Sequence, residues 1–231
     1  MNKKSSVLCI ILLVIVNSVY AKRAPVPEVV PLENSNYIFS AGYTGTLGNN
    51  YAFGVLKIES KGEIKYNYTV PLYAVKIDKL LERDVQCVFV KSMKFKNENI
   101  IVIVNEKNET FEFNIDTYEV TCISGKNDKK INDLFNNFLN EKFFSTMIEY
   151  KGTQPEKKQL KKIEDVISIA ENALFPIYGK DKIKKEMPYN IYKSKNKWYV
   201  NGSLPEGWIG GVFEIIINTE TSQVEYYIHG K

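Results

Sequence analysis

Histidine occurs once in this 231-residue chain, at His229, and cysteine only three times. A lone histidine cannot build a His cluster around a metal, so no metal site is expected. The chain also lacks a phosphate-binding loop. Gly42-Tyr43-Thr44-Gly45 and Gly210-Gly211 have neither the lysine nor the following helix that such a loop needs. No serine sits in a Gly-x-Ser-x-Gly elbow. No motif therefore calls for a catalytic residue or a cofactor, and the protein reads as a non-enzyme. Asp and Glu pairs brought together by the fold are the one catalytic chemistry left open. Beyond the N-terminus no stretch reaches eighteen consecutive apolar residues, so no later segment is expected to span a membrane. No internal repeat is visible.

The N-terminus has the layout of a secretory signal peptide. Lys3 and Lys4 precede an apolar run from Val7 to Val16, and Val19-Tyr20-Ala21 fits a small-x-small cleavage site. The run is short for a bilayer span, which favours cleavage over anchoring. Cys9 lies inside that run rather than at the cleavage point, which argues against a lipoprotein. Cleavage near Ala21 removes two lysines and no acid, taking the net charge from +4 to +2. Such a balance does not point to nucleic acid or a membrane surface as the main partner. The expected location is periplasmic or secreted.

Cys87 and Cys122 survive cleavage. A cysteine pair in an exported chain reads as a disulfide. It would join two strands and stabilise the fold by roughly 4 kcal/mol in the chain-entropy model. Two buried thiols are the other reading. A catalytic thiol is not expected, because His229 lies far along the chain.

Residues 22–36 carry Pro25, Pro27 and Pro31 and read as an extended leader. Residues 37–150 read as a β-rich domain of unknown family that ends in a helix. Strands are predicted over Tyr37–Thr46, Tyr51–Glu59, Ile64–Val70, Val85–Val90, Ile100–Val104, Thr110–Ile115 and Tyr118–Ile123. Ile77–Arg83 suggests a short helical turn. The piece from Glu98 to Thr121 has the pattern of one propeller blade, and a single blade implies a small sheet or open barrel. Over Asp128–Met147, Ile131, Leu134, Phe135, Phe138 and Leu139 form one helical stripe, extended by Phe143 and Phe144. Core packing is the plain reading of that stripe, and a partner-binding helix is the sharper one.

Residues 151–158 are polar, contain Gly152 and Pro155, and read as a linker to a domain over 159–231. A second amphipathic helix carries Leu160, Ile163, Val166, Ile167, Ala170 and Leu174, and Pro176 and Gly179 stop it. Strands follow at Tyr189–Lys193, Lys197–Ser203, Gly211–Asn218 and Gln223–His229. Asn218–Gln223 forms the last hairpin connection. A helix packed on an antiparallel sheet makes this an α+β domain.

Four elements near the C-terminus carry a family resemblance. They are the helix end Tyr178-Gly179, the strand Trp198-Tyr199-Val200-Asn201-Gly202-Ser203-Leu204-Pro205, the segment Gly210-Gly211-Val212, and the terminal His229-Gly230-Lys231. In order and spacing this stretch resembles the bacterial immunity proteins with a nuclear transport factor 2-like fold. The resemblance implies a helix on a curved antiparallel sheet, of the nuclear transport factor 2-like or cystatin-like kind. It implies a protein-binding role whose partner is a toxin. An envelope accessory or ligand-binding protein is the second reading, and a hydrolase on a cone-shaped fold is the third.

Trp208 lies in a Gly-rich loop between strands, as does Glu206. Large aromatics on loops serve as interface anchors. The alternative is that Trp208 folds back over the sheet end, whereas Trp198, within a strand, reads as core. Lys180–Lys185 is the densest basic segment, and Lys182, Lys184 and Lys185 are candidate contacts for an acidic partner. Asp181 and Glu186 interrupt it, and a solvated loop is the plainer reading. His229 reads as a hydrogen-bonding structural residue at a strand end.

The N-terminal reading is directly testable. Mature protein is expected to begin near Lys22 and to fractionate as soluble periplasmic material. Intact-mass analysis checks this, and an unprocessed Met1 start on membrane-bound protein would refute it.

Overall fold

The computed structural model describes residues 25–44, 50–125, 130–143 and 147–230. The signal-peptide region, Gly48-Asn49, Phe144 and Lys231 lie outside the described residues. The chain is α+β, with thirteen described strands and four described helices. Nine strands form one mixed sheet in the order β1 (Leu32–Glu33), β2 (Tyr37–Thr44), β3 (Tyr51–Ser60), β4 (Tyr66–Lys76), β10 (Tyr189–Ser194), β11 (Lys197–Asn201), β12 (Phe213–Asn218), β13 (Val224–His229), β9 (Ile148–Glu149). A separate antiparallel meander holds β5 (Val90–Asn97), β6 (Ile100–Asn105), β7 (Thr110–Asn114) and β8 (Val120–Ser124). The helices are α1 (Arg83–Gln86), α2 (Ile131–Phe143), α3 (Ile163–Tyr178) and α4 (Lys180–Lys184).

The joint between the two halves of the chain is the parallel pairing of β4 with β10, from Tyr66↔Tyr189 to Tyr192↔Thr69. The sheet therefore does not stop at the expected domain boundary. The polar segment 151–158 is a connection, as its Gly and Pro suggest, but it is strapped along the last hairpin. Gln154 Nε2 donates to Val224 O at 2.8 Å and Gln154 Oε1 accepts from Val224 N at 2.9 Å. Gln223 Nε2 donates to Pro155 O, and Ser222 Oγ donates to Glu156 O at 2.7 Å. The hairpin has no glycine; Ser222 takes the left-handed position itself, at φ 58°.

Strand alternation sends side chains to two cores. On one face, Trp198, Val200, Ile215 and Ile217 pack with Val166, Ile167 and Ala170 of α3 and with Ile101, Ile103 and Phe113 of the four-stranded meander. On the other, Phe53, Val55, Tyr199 and Ile216 meet Phe135, Phe138, Leu139 and Phe143 of α2. The aromatic stripe of α2 is thus core, and Trp198 is fully buried. Tyr199 fixes α2 further by donating its hydroxyl to Asn140 Oδ1 at 2.9 Å.

Several sequence expectations are corrected here. Val85–Val90 is not a strand. Its first residues close α1, and β5 begins at Val90 and runs to Asn97. The helical turn falls at Arg83–Gln86 rather than Ile77–Arg83. β4 continues past Val70 to Lys76 and carries Pro71 beyond the last residue paired with β10. There β4 has no partner on the β10 side, the kind of position that tolerates proline. Cys87 and Cys122 form no disulfide. Cys122 lies on β8 and Cys87 leads into β5, at opposite edges of the four-stranded sheet. Strand spacing separates those edges by roughly 14 Å, well outside disulfide reach.

The meander is keyed to the main sheet through Tyr73. Its ring stacks on Phe111 at 5.4 Å and its hydroxyl donates to Val88 O at 2.9 Å. Gly54, on the neighbouring strand, leaves room for that ring; a Cβ there would run into it. Gly54→Ala is expected to cost about 2 kcal/mol by overpacking. A lowered urea midpoint with an unchanged m-value checks this, and an unchanged midpoint would refute the keying role.

Candidate functional site

The four motif elements, separate in sequence, meet at one end of the nine-stranded sheet. At their centre is a buried pair. His229 Nε2 lies 2.7 Å from Glu186 Oε1, with side chains 6% and 8% exposed. The other ring nitrogen, Nδ1, lies 2.6 Å from Gly230 O. The remaining oxygen, Glu186 Oε2, accepts from Phe213 N at 2.8 Å. A buried carboxylate is stable only when so satisfied.

Three glycines of the motif, Gly202, Gly211 and Gly230, have a local cause in this node. Gly202 lies against the Glu186 carboxylate, and a Cβ on it would collide with Oε2. Gly211 and Gly230 pass each other backbone to backbone; a Cβ on Gly230 would sit 2.6 Å from Gly211 Cα. Gly179 caps α3 at φ 90°, donating its N–H to Phe175 O at 2.9 Å. The ring of Tyr178 then packs 5.0 Å from His229. Ser203 N donates to Glu186 O at 2.7 Å. The motif thus builds one closed cluster from a helix end, two strand ends and the C-terminal strand.

From this cluster projects the loop between β11 and β12. Trp208 is 70% exposed and Ile209 fully so, and Leu204 is partly exposed beside them. Trp208 does not fold back over the sheet. Trp208 N donates to Pro205 O at 3.1 Å, with Gly207 at φ 80° in the third position of the turn. That position favours glycine. Glu206, in the same turn, is exposed. Pro205 and Gly210 are exposed too, so they shape the loop rather than the node.

The lysines of α4 and its end divide. Lys182 Nζ sits 5.6 Å from the Tyr178 ring, and Lys184 Nζ lies 3.6 Å from Glu171 Oε1, so both lean back on α3. Lys185 is exposed and adjoins Glu186. The Ser203–Glu186 bond brings this basic segment to the base of the Trp208 loop. Sequence reasoning missed Glu186, treating it only as a break in a lysine run. No local signal marks it, because 43 residues of chain separate it from His229.

Gly202→Ala is expected to push the Glu186 carboxylate off both its partners and cost about 3 kcal/mol, as breaking a buried pair does. A thermal or urea melt measures it. Wild-type stability in this variant would mean that Glu186 is not held as described.

Among the described residues no three His, Cys, Asp or Glu side chains gather into a metal-binding group. Among them, too, no helix is long and apolar enough to cross a membrane. No curated protein and no solved structure matches the chain. The sequence model of the family described as NTF2 fold immunity protein matches residues 166–231, which take in most of α3, the buried His229–Glu186 pair and every motif element from Tyr178 to Lys231.

Proposed function

We propose that this chain is an exported, non-catalytic immunity protein that neutralises a toxin by covering its active surface. The observation that carries the reading is the coincidence of the family match over residues 166–231 with an exposed apolar anchor fixed to the matched segment. We read α3 and β10–β13 as a nuclear transport factor 2-like unit. Occlusion needs affinity, and affinity needs a preorganised contact. The His229–Glu186 cluster supplies it by fixing both ends of the 204–211 loop. Trp208 and Ile209 then form the apolar centre of the contact, and Glu206 and Lys185 form its polar rim. Lys182 and Lys184 add positive field for approach. If the signal peptide acts as read, the toxin works in the envelope or outside the cell.

Trp208→Ala is expected to lower partner affinity about thirtyfold, the loss of roughly 2 kcal/mol at an anchoring aromatic. The melting temperature should stay at its wild-type value, because the side chain is exposed. Purification of the tagged protein from periplasm supplies the partner, and titration of both variants measures the effect. A lower melting temperature with unchanged affinity would remove Trp208 from the interface.

A further inference from the structure

A second feature lies at the other end of α3, roughly 20 Å along the helix from the His229 cluster. Here the β7–β8 turn, β2 and the first turn of α3 enclose a cleft of about 820 Å³. The hydroxyl-bearing rings of Tyr37 and Tyr118 line it, and the Tyr66 hydroxyl lies behind them, outside the lining. Tyr37 Oη lies 3.5 Å from Tyr118 Oη, and Tyr66 Oη donates to Glu164 Oε1 at 3.4 Å. Burial pushes the Tyr66 and Tyr118 hydroxyls well above their ordinary range. They stay protonated donors at any physiological pH.

Tyr118 is held in place under strain. Its φ is 58°, the left-handed region that aromatic residues seldom occupy. Such a conformation persists only where the surroundings over-determine it. Here Tyr118 N donates to Asn114 O at 2.9 Å, and the ring packs edge-on to Tyr68 at 5.4 Å. The ring and its hydroxyl are thereby presented to the cleft in one orientation.

The walls define what fits. Tyr37, Phe95 and Tyr118 bring aromatic rings, and Asn34, Asn36, Asn97 and Asn99 bring amides. The charged groups are Glu98, Asp116, Glu164 and one cation, Lys162. Three carboxylates against one ammonium disfavour phosphate-bearing ligands. Amides, hydroxyls and carboxylates around three rings make a poor lipid site, because polar walls would lose hydrogen bonds to an acyl chain. The same set suits a ligand with apolar C–H faces and many neighbouring hydroxyls. The rings take the faces, and the amides and carboxylates pair with the hydroxyls.

We propose that this cleft binds a neutral polyhydroxylated ligand of the oligosaccharide class. The site is separate from the Trp208 loop, so it stands or falls independently of the toxin reading.

The test titrates the full mature protein with three soluble tetrasaccharides, of chitin, cellulose and amylose type, and with trilysine as a cationic control. Calorimetry or amide chemical shifts provide the readout. At least one sugar is expected to bind saturably. The double variant Asn36→Ala/Glu98→Ala, altered at two exposed side chains, is expected to weaken that binding about tenfold with no change in melting temperature. Trp208→Ala is expected to leave it unchanged. No saturable response to any of the three sugars overturns the proposal. So does displacement of the bound sugar by trilysine, or sugar binding that the double variant leaves intact.

Discussion

The buried contact between His229 and Glu186 governs the C-terminal end of this protein. Two ionisable side chains out of water are costly unless every polar atom is met. The Gly230 carbonyl, the Phe213 amide and the pair itself meet them. That requirement propagates outward. Glu186 can reach His229 only because Gly202 has no side chain. The final strand can cross the start of β12 only because Gly211 and Gly230 are both bare. The motif is thus a packing specification around one carboxylate. It also fixes the ends of a loop whose tip carries Trp208.

A loop is only as stiff as the sheet behind it. The β11 and β12 strands that carry this one lie inside a nine-stranded sheet, covered on one face by α3 and on the other by α2. The 151–158 strap adds side-chain-to-backbone hydrogen bonds along the last hairpin. The N-terminal strands thus extend the sheet that carries the Trp208 loop, and the four-stranded meander supplies one wall of the tyrosine cleft.

What the sequence revealed follows from the range of the forces involved. The C-terminal motif was legible because its glycines answer to close contacts that leave few alternatives. The α2 stripe was legible because Phe135, Phe138, Leu139 and Phe143 recur with the helical period. β5 was missed because Lys91, Ser92, Lys94 and Lys96 break any apolar run; on a sheet edge those residues protect unpaired backbone instead. The disulfide was wrongly expected because cysteine counting ignores topology, which put Cys87 and Cys122 at opposite sheet edges. Glu186 was hidden among lysines, and the β4–β10 pairing has no local signature at all. The tyrosine cleft was equally invisible, since Tyr37, Tyr66, Tyr118 and Glu164 come together only through the fold.

The β4–β10 joint also sets a timetable. Asn67 and Asn190, paired across it, are 123 residues apart in the chain. Contacts of such separation form late, because the intervening loop must close first. When β4 emerges during synthesis, the edge that will receive β10 is bare and flanked by Tyr66, Tyr68 and Val70. The N-terminal half must wait with an open strand edge and an unfilled apolar face, a state prone to aggregation.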